Sequence, residues 1–269
     1  TRFDVVPQIF WLFQFILALA VATRCCHVPH LKSNLTLTTR IFTPLVPFVL
    51  AMLTCSAIQA AQPPQVSQAD LIKHSAPSDW RRLDPENTLV MEINGQQVIL
   101  ELATRFAPQH AANIRTLTRE GYYTGSAVVR VQDNYVTQWA DPADEEKEKE
   151  KVKPQGNALA HLPAEFSIPF KGLPLTRFTD PDGWAPVSGF VDGLPVAADP
   201  AKNKAWLAHC YGMVGAARSS KPDSSNGTSL YAINGQAPRA LDLNITVVGR
   251  VVKGMEVLSS LPRGPGAMG

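Results

Sequence analysis

"VVRVQDNYVTQWAD", residues 128–141, decides how the rest of the chain is read. Val128, Val129 and Val131 suit a pleated sheet, as do Tyr135 and Val136, so the stretch reads as two short, half-buried strands. Arg130 interrupts the first and Gln138 follows in the second. An arginine among apolar neighbours costs free energy unless it is paired or hydrogen-bonded. Either this is an edge strand whose arginine reaches water along its apolar stem, or it is a shallow apolar groove furnished with a few fixed donors.

The segments on either side make a β protein. "NTLVMEINGQQVILEL" (87–102) holds two β runs joined at Asn94-Gly95, a pair that tolerates positive φ at both turn positions and so signals a hairpin. "RFAPQHAANIRTLTREGYY" (105–123) has helical spacing: Pro108 suits a first turn, Ala111, Ile114 and Leu117 share a face, and Gly121 ends it. After a long interruption, β-like runs return at 208–218, 227–235 and 245–252, and "KGMEVLSSL" (253–261) reads as a closing helix. Strands parted by Gly-rich turns, with one helix early and one late, predict a mostly β fold: a closed antiparallel barrel with two helical caps.

Residues 142–209 are expected to be a long inserted loop. Its charge run "DEEKEKEKVK" (144–153) suits a short exposed helix. The remainder, dense in Pro and Gly with scattered aromatics, is too irregular for a core of its own and too apolar for simple disorder. Residues 62–86 read as a polar leader with a short helix around Asp70–Lys73, ahead of a domain spanning 87–269.

The first 61 residues read as an N-terminal extension and signal peptide. Arg40, the apolar run "IFTPLVPFVLAML" (41–53) and the small residues of "TCSAIQAAQ" have the order of a secretory signal, with cleavage after Ala57, Ala60 or Ala61. The run is shorter than the roughly 20 residues a membrane span takes. A second apolar run at 9–22, in a chain that begins with Thr, reads as over-translated or fragmentary sequence; the rival reading is an inner-membrane anchor. Removal of the signal takes Cys25, Cys26 and Cys55 with it and leaves Cys210 alone, without a disulfide partner. An exported chain of that kind points to a bacterial periplasm.

A net charge of +2 over 269 residues offers no footprint for nucleic acid. Signatures of other chemistries are missing too. His74, His110, His161 and His209 have no metal-ligand spacing, and His209-Cys210 reads as a pair of strand residues. No GxSxG elbow, P-loop or GxGxxG turn occurs, and the serines of "SSKPDSSNG" (219–227) read as loop filler. What remains is Arg130 with Tyr135, Val136 and Gln138, and further on Tyr231 and Leu241.

The order of these segments resembles the cyclophilins, the peptidyl-prolyl cis–trans isomerases, over about residues 87–261. The resemblance is carried by the hairpin, the helix with Pro108 and Asn113, the "GYYTGS" turn, the arginine strand, "YGMVGAAR", "GTSLYAING" and "ALDLNITVVGRVVKGMEVLSSL". It implies that Arg130 is the catalytic arginine. It implies too that Tyr135, Val136, Gln138, Ala217, Ser229, Tyr231 and Leu241 bind substrate. Arg218 stands where the family commonly has asparagine, Ser229 where it has glutamine, Ala240 where it has a large aromatic, and Ile245 where many members have histidine. The family barrel ends in a further strand, which "RGPGAMG" does not supply.

The resemblance implies a monomeric isomerase that assists the folding of exported proteins, acts on unfolded or flexible proline-containing segments and needs no cofactor or metal. The alternative is a catalytically weak module that grips proline-containing peptides. A third reading is a membrane-tethered scaffold that recruits partners through the insert.

Overall fold

The computed structural model describes residues 66–145 and 150–269. The signal segment therefore lies outside the described residues, as do residues 146–149 of the charge run. The chain divides at Lys73: before it the described residues 66–73 carry helix α1 (Gln68–Lys73), and His74–Gly269 form the second unit. Among the described residues no helix is long and apolar enough to cross a membrane.

The second unit is built on a seven-stranded antiparallel sheet. Its strands are β1 (Thr88–Ile93), β2 (Gln96–Leu102), β3 (Ala127–Gln132), β4 (Val136–Ala140), β10 (Met213–Ala216), β11 (Leu230–Ile233) and β12 (Val247–Lys253). The order across it is β1-β2-β12-β10-β11-β4-β3. The β1–β2 hairpin turns at Asn94 (φ 51°) and Gly95 (φ 78°), as the dipeptide predicts. Helix α2 (Pro108–Arg119) begins at Pro108 and buries Ala111, Ile114 and Leu117, while α3 (Pro142–Glu145) and α4 (Met255–Ser259) are short.

Side chains alternate between the two faces of a strand, so this sheet has two apolar faces to cover. One packs Val98, Leu100, Trp139, Val214, Leu230 and Val248 against Ala111 and Ile114 of α2 and Val257 and Leu258 of α4. The opposite face presents Val136, Met213, Tyr231, Ile233 and Val247.

The insert covers that opposite face, and here the expectation of a loop is corrected. Residues 168–207 form a second antiparallel sheet of β5 (Ile168–Pro169), β6 (Thr176–Arg177), β7 (Val187–Val191), β8 (Leu194–Asp199) and β9 (Lys204–Leu207), in the order β5-β9-β8-β7-β6. Val187, Val191, Leu194, Val196 and Leu207 pack onto the first sheet. The hairpin signal was present in "VSGFVDGLPVAAD": Asp192-Gly193, flanked by alternating apolar residues, turns with φ of 51° and 76°. Its tip is clamped to the first sheet. Glu101 pairs with Arg81 at 2.5 Å and Arg250 at 3.2 Å, and those arginines donate to the carbonyls of Asp192 and Gly193.

The predicted closed barrel is the second correction. The sheet curls, but among the described residues β1 and β3 are edges that no further strand joins. Between them, on the face that Trp139 and Leu230 share with α2 and α4, lies a cleft of about 690 Å³ whose lining also includes Leu89, Met91 and Val128. The 208–218 run is also shorter than expected, because His209 and Cys210 lie in the loop before β10.

The insert reaches α2 as well. Ala107 caps the helix without a side-chain hydrogen bond, and the Glu165 carboxylate supplies what it lacks. Glu165 accepts from the N–H groups of Gln109 (3.0 Å) and His110 (2.9 Å), which a helix start leaves unpaired, and meets His110 Nδ1 at 2.6 Å. His110 Nε2 lies 3.1 Å from Ser225 Oγ, so this serine, expected as loop filler, is buried and bonded. Burial opposes the charge on Glu165, but the hydrogen bonds from His110 and the two backbone groups outweigh it and hold its carboxyl below the ordinary 4.5. Because the folded value lies below the unfolded one, the stabilisation is full above about pH 4.5 and is lost as the pH falls through the folded value. Urea denaturation across this range is expected to show that acid-side loss in the wild type and a flatter profile in Glu165→Gln. At neutral pH that variant should be less stable by about 1–3 kcal/mol.

Candidate functional site

Register brings the arginine of the opening stretch into line with the residues expected around it. Arg130 on β3 is the cross-strand partner of Gln138 on β4, Gln138 of Tyr231 on β11, and Tyr231 of Gly215 on β10. Directly opposed residues project to the same face, so the four form one row across four strands. Val136 lies two residues from Gln138 and shares its face, whereas Thr137 and Trp139 point the other way.

The row has a polar end and an apolar end. Arg130 is half-buried, and its guanidinium carbon lies 5.1 Å from the centre of the Tyr135 ring, within reach of cation–π attraction. Its Nη2 donates to Gln132 Oε1 and its Nε to the carbonyl oxygen of Met268 at 3.0 Å. Gln138 Nε2 donates to Ser229 Oγ, just ahead of β11, at 2.9 Å, which fixes the amide. At the apolar end, Val136 is 2% exposed and Tyr231 4%. The Ala217 N–H bonds the Ser229 carbonyl at 2.9 Å, and Ala217 packs half-buried against the same cluster.

Gly215 matters here for its missing side chain. A β-carbon there would lie 2.2 Å from both Cζ and Oη of Tyr231, so the hydroxyl end of the ring lies against the β10 backbone. Leu241 is placed differently from the other expected residues. It ends a 3-10 turn (Ala237–Leu241), half-buried, next to Asp242. Of the departures from the family pattern, Arg218 donates to Asn244 in the segment before β12 and to the Ser219 carbonyl in its own loop, and Ala240 is exposed.

The sequence reading missed the groups behind the row. His209 is fully buried, with Nε2 at 3.1 Å from the Tyr231 hydroxyl and Nδ1 at 3.0 Å from Asp242 Oδ1. Burial, reinforced by the charges of Tyr135 and Asp242, pushes the Tyr231 hydroxyl well above its ordinary 10, so it keeps its proton. The spacing of His209, Tyr231 and Asp242 carried no signal, since the three meet only once the strands pair. Among the described residues no group of three or more His, Cys, Asp or Glu is placed to hold a metal ion.

Comparison with known proteins bears on the family and the fold. The family model described as "Cyclophilin type peptidyl-prolyl cis-trans isomerase/CLD" matches residues 88–268. Relatives from Brucella suis and Brucella abortus, each named "Probable peptidyl-prolyl cis-trans isomerase", are 30% identical over 185 residues, covering 67% of this chain and 74% of theirs. Among solved structures, cyclophilin AquaCyp293 from Hirschia baltica is similar with a TM-score of 0.57 and 25% identity, covering 74% of this chain and 76% of that one.

The Gly215–Tyr231 contact gives a sharp test of the row. Gly215→Ala is expected to displace the ring and to destabilise the fold by about 1–3 kcal/mol, as overpacking does, measured by chemical denaturation. A variant as stable as the wild type would mean the ring does not lie against that backbone.

Proposed function

The chain belongs to the cyclophilin-type peptidyl-prolyl cis–trans isomerases and has that activity, and we propose that Arg130 carries it at the polar end of the Arg130–Gln138–Tyr231 row. Rotation about an X–Pro bond faces a barrier of roughly 18–20 kcal/mol, because the C–N bond is partly double. No bond breaks, so neither nucleophile nor metal nor cofactor is required. The enzyme has only to bind the twisted amide better than either planar form.

A guanidinium does this through the prolyl nitrogen. When the amide twists, resonance is lost and the nitrogen lone pair becomes a better acceptor, so a donor aimed at it stabilises the transition state selectively. Arginine suits the role because it keeps its charge and its planar donor set beside apolar groups. The single observation that carries the reading is the cross-strand row itself. The bond from Arg130 Nε to a backbone carbonyl adds to it, since that oxygen is the kind of acceptor a polypeptide offers.

In this reading Tyr135, Val136, Tyr231 and Leu241 take the proline ring, while Gln138, held by Ser229, and the neighbouring Ala217 engage the substrate backbone. The clients are unfolded or flexible proline-containing segments of exported proteins. Arg40, the apolar run 41–53 and the small residues after it support export with a cleaved signal and work in the periplasm, by a monomer. Retention of the 9–22 run would make it an inner-membrane protein instead. N-terminal sequencing of the exported protein decides between these: a start after Ala57, Ala60 or Ala61 is expected, and a retained 9–22 segment overturns it.

The near-complete burial of Val136 and Tyr231 makes the floor shallow and favours, as the second reading, a groove that binds prolyl peptides but turns them over slowly. A protease-free prolyl-peptide exchange assay separates the two. Arg130→Ala is expected to lower kcat/KM by about 10²–10³-fold, the usual cost of one transition-state donor. Equal rates for variant and wild type would end the claim for Arg130, and retained peptide binding alongside them would leave the groove a binding site.

A further inference from the structure

We propose that His209 and Asp242 are positioning residues of the isomerase groove, holding the Tyr231 ring from behind through its hydroxyl and coupling the inserted sheet to the floor. The inference rests on the reading of Tyr231 as that floor. Its basis is an unbroken chain of hydrogen bonds running from the insert to the ring. Asp182, in the insert, accepts from Arg239 at 2.8 and 3.3 Å. Arg239 Nε donates to Asp242 Oδ2 at 2.9 Å, and Trp206 on β9 donates its indole N–H to the same oxygen at 3.1 Å. Asp242 Oδ1 takes the backbone N–H of His209 at 2.9 Å and faces its Nδ1 at 3.0 Å, and Nε2 meets the Tyr231 hydroxyl.

With a neutral imidazole the donors and acceptors fit one order. An ionised carboxylate only accepts, so Nδ1 carries the imidazole proton, and the bare Nε2 of a neutral ring then accepts from the tyrosine. Burial opposes the charge on Asp242, but the bonds from His209, Trp206 and Arg239 prevail and hold its carboxyl below the ordinary 3.8. Tyr231 is thus confined twice: its ring lies against Gly215, and its hydroxyl, away from water, is tied to His209. Loss of His209 would leave that hydroxyl buried and unpaired, a state the ring can escape only by moving. Asp242 also directly follows Leu241, so the same network steadies a second residue assigned to the proline ring.

A floor that holds the proline ring acts equally on planar and twisted substrate, so loosening it should raise KM and spare kcat. The test measures both on the full chain with an alanyl-prolyl peptide, by protease-free exchange, for wild type, His209→Leu, Tyr231→Phe and the double variant. His209→Leu is expected to raise KM about tenfold. In the Tyr231→Phe background the same change should add nothing, because the hydroxyl it leaves unpaired is gone. A histidine that serves stability alone would lower the denaturation midpoint in both backgrounds and leave KM unmoved, which overturns the proposal. An equal rise of KM in both backgrounds overturns it as well. If His209→Leu does not fold, Asp242→Asn takes its place with the same readouts, since it removes the charge that orients the imidazole. Arg130→Ala, run in parallel, separates the failures. Activity unchanged there ends the claim for Arg130, whereas activity lost there with KM insensitive to His209 removes only the positioning role of His209 and Asp242.

Discussion

The sheet at the centre of this protein has two apolar faces, and everything else follows from the need to bury both. The first is covered in the ordinary way, by α2 and α4. The second carries Val136, Met213, Tyr231 and Val247, residues too apolar to leave in water at roughly 25 cal/mol for each Å² exposed. The inserted sheet covers it, yet stops short of Arg130 and Gln138, which remain half-buried at the β3 side. The groove is therefore the uncovered margin of a face that is otherwise core.

That arrangement explains why the insert is secured by polar contacts as well as apolar ones. At two of the three places these contacts meet a fully buried side chain, His110 or His209. Glu165 takes the free N–H groups at the start of α2, Arg81 and Arg250 take the carbonyls at the β7–β8 tip, and Asp242 takes Trp206 and His209. Unpaired, the buried groups among these would cost more than the bonds themselves contribute. The insert is thus a structural partner of the sheet, and it approaches the groove from the side of Tyr231.

Elements whose structure is settled by neighbours in sequence were legible. Asn94-Gly95 marked its hairpin because both residues accept positive φ, and Pro108 and Gly121 bracketed α2 for equally local reasons. Asp192-Gly193 carried the same turn signal but was hidden by the prolines and glycines around it, so a folded sheet read as a loop. Barrel closure was inferred from the succession of strands, yet succession says nothing about which edges meet, and β1 and β3 stay apart. At the site, the alternation along β3 and β4 and the family resemblance pointed to Arg130, Gln138 and Tyr231. Ser225 and His209 gave no sign of their roles, because their partners lie 115 and 33 residues away in the chain.

By itself, the sequence determined the strands of the first sheet, their alternation, the first hairpin, the main helix and the arginine that does not belong among valines. Those are consequences of φ preference and of a two-residue period, which short stretches encode without help. Only the tertiary structure decided which segment covers the second face, which edges remain open and which acceptor meets each buried donor. Such pairings join groups far apart in the chain, and nothing local to either group specifies the other.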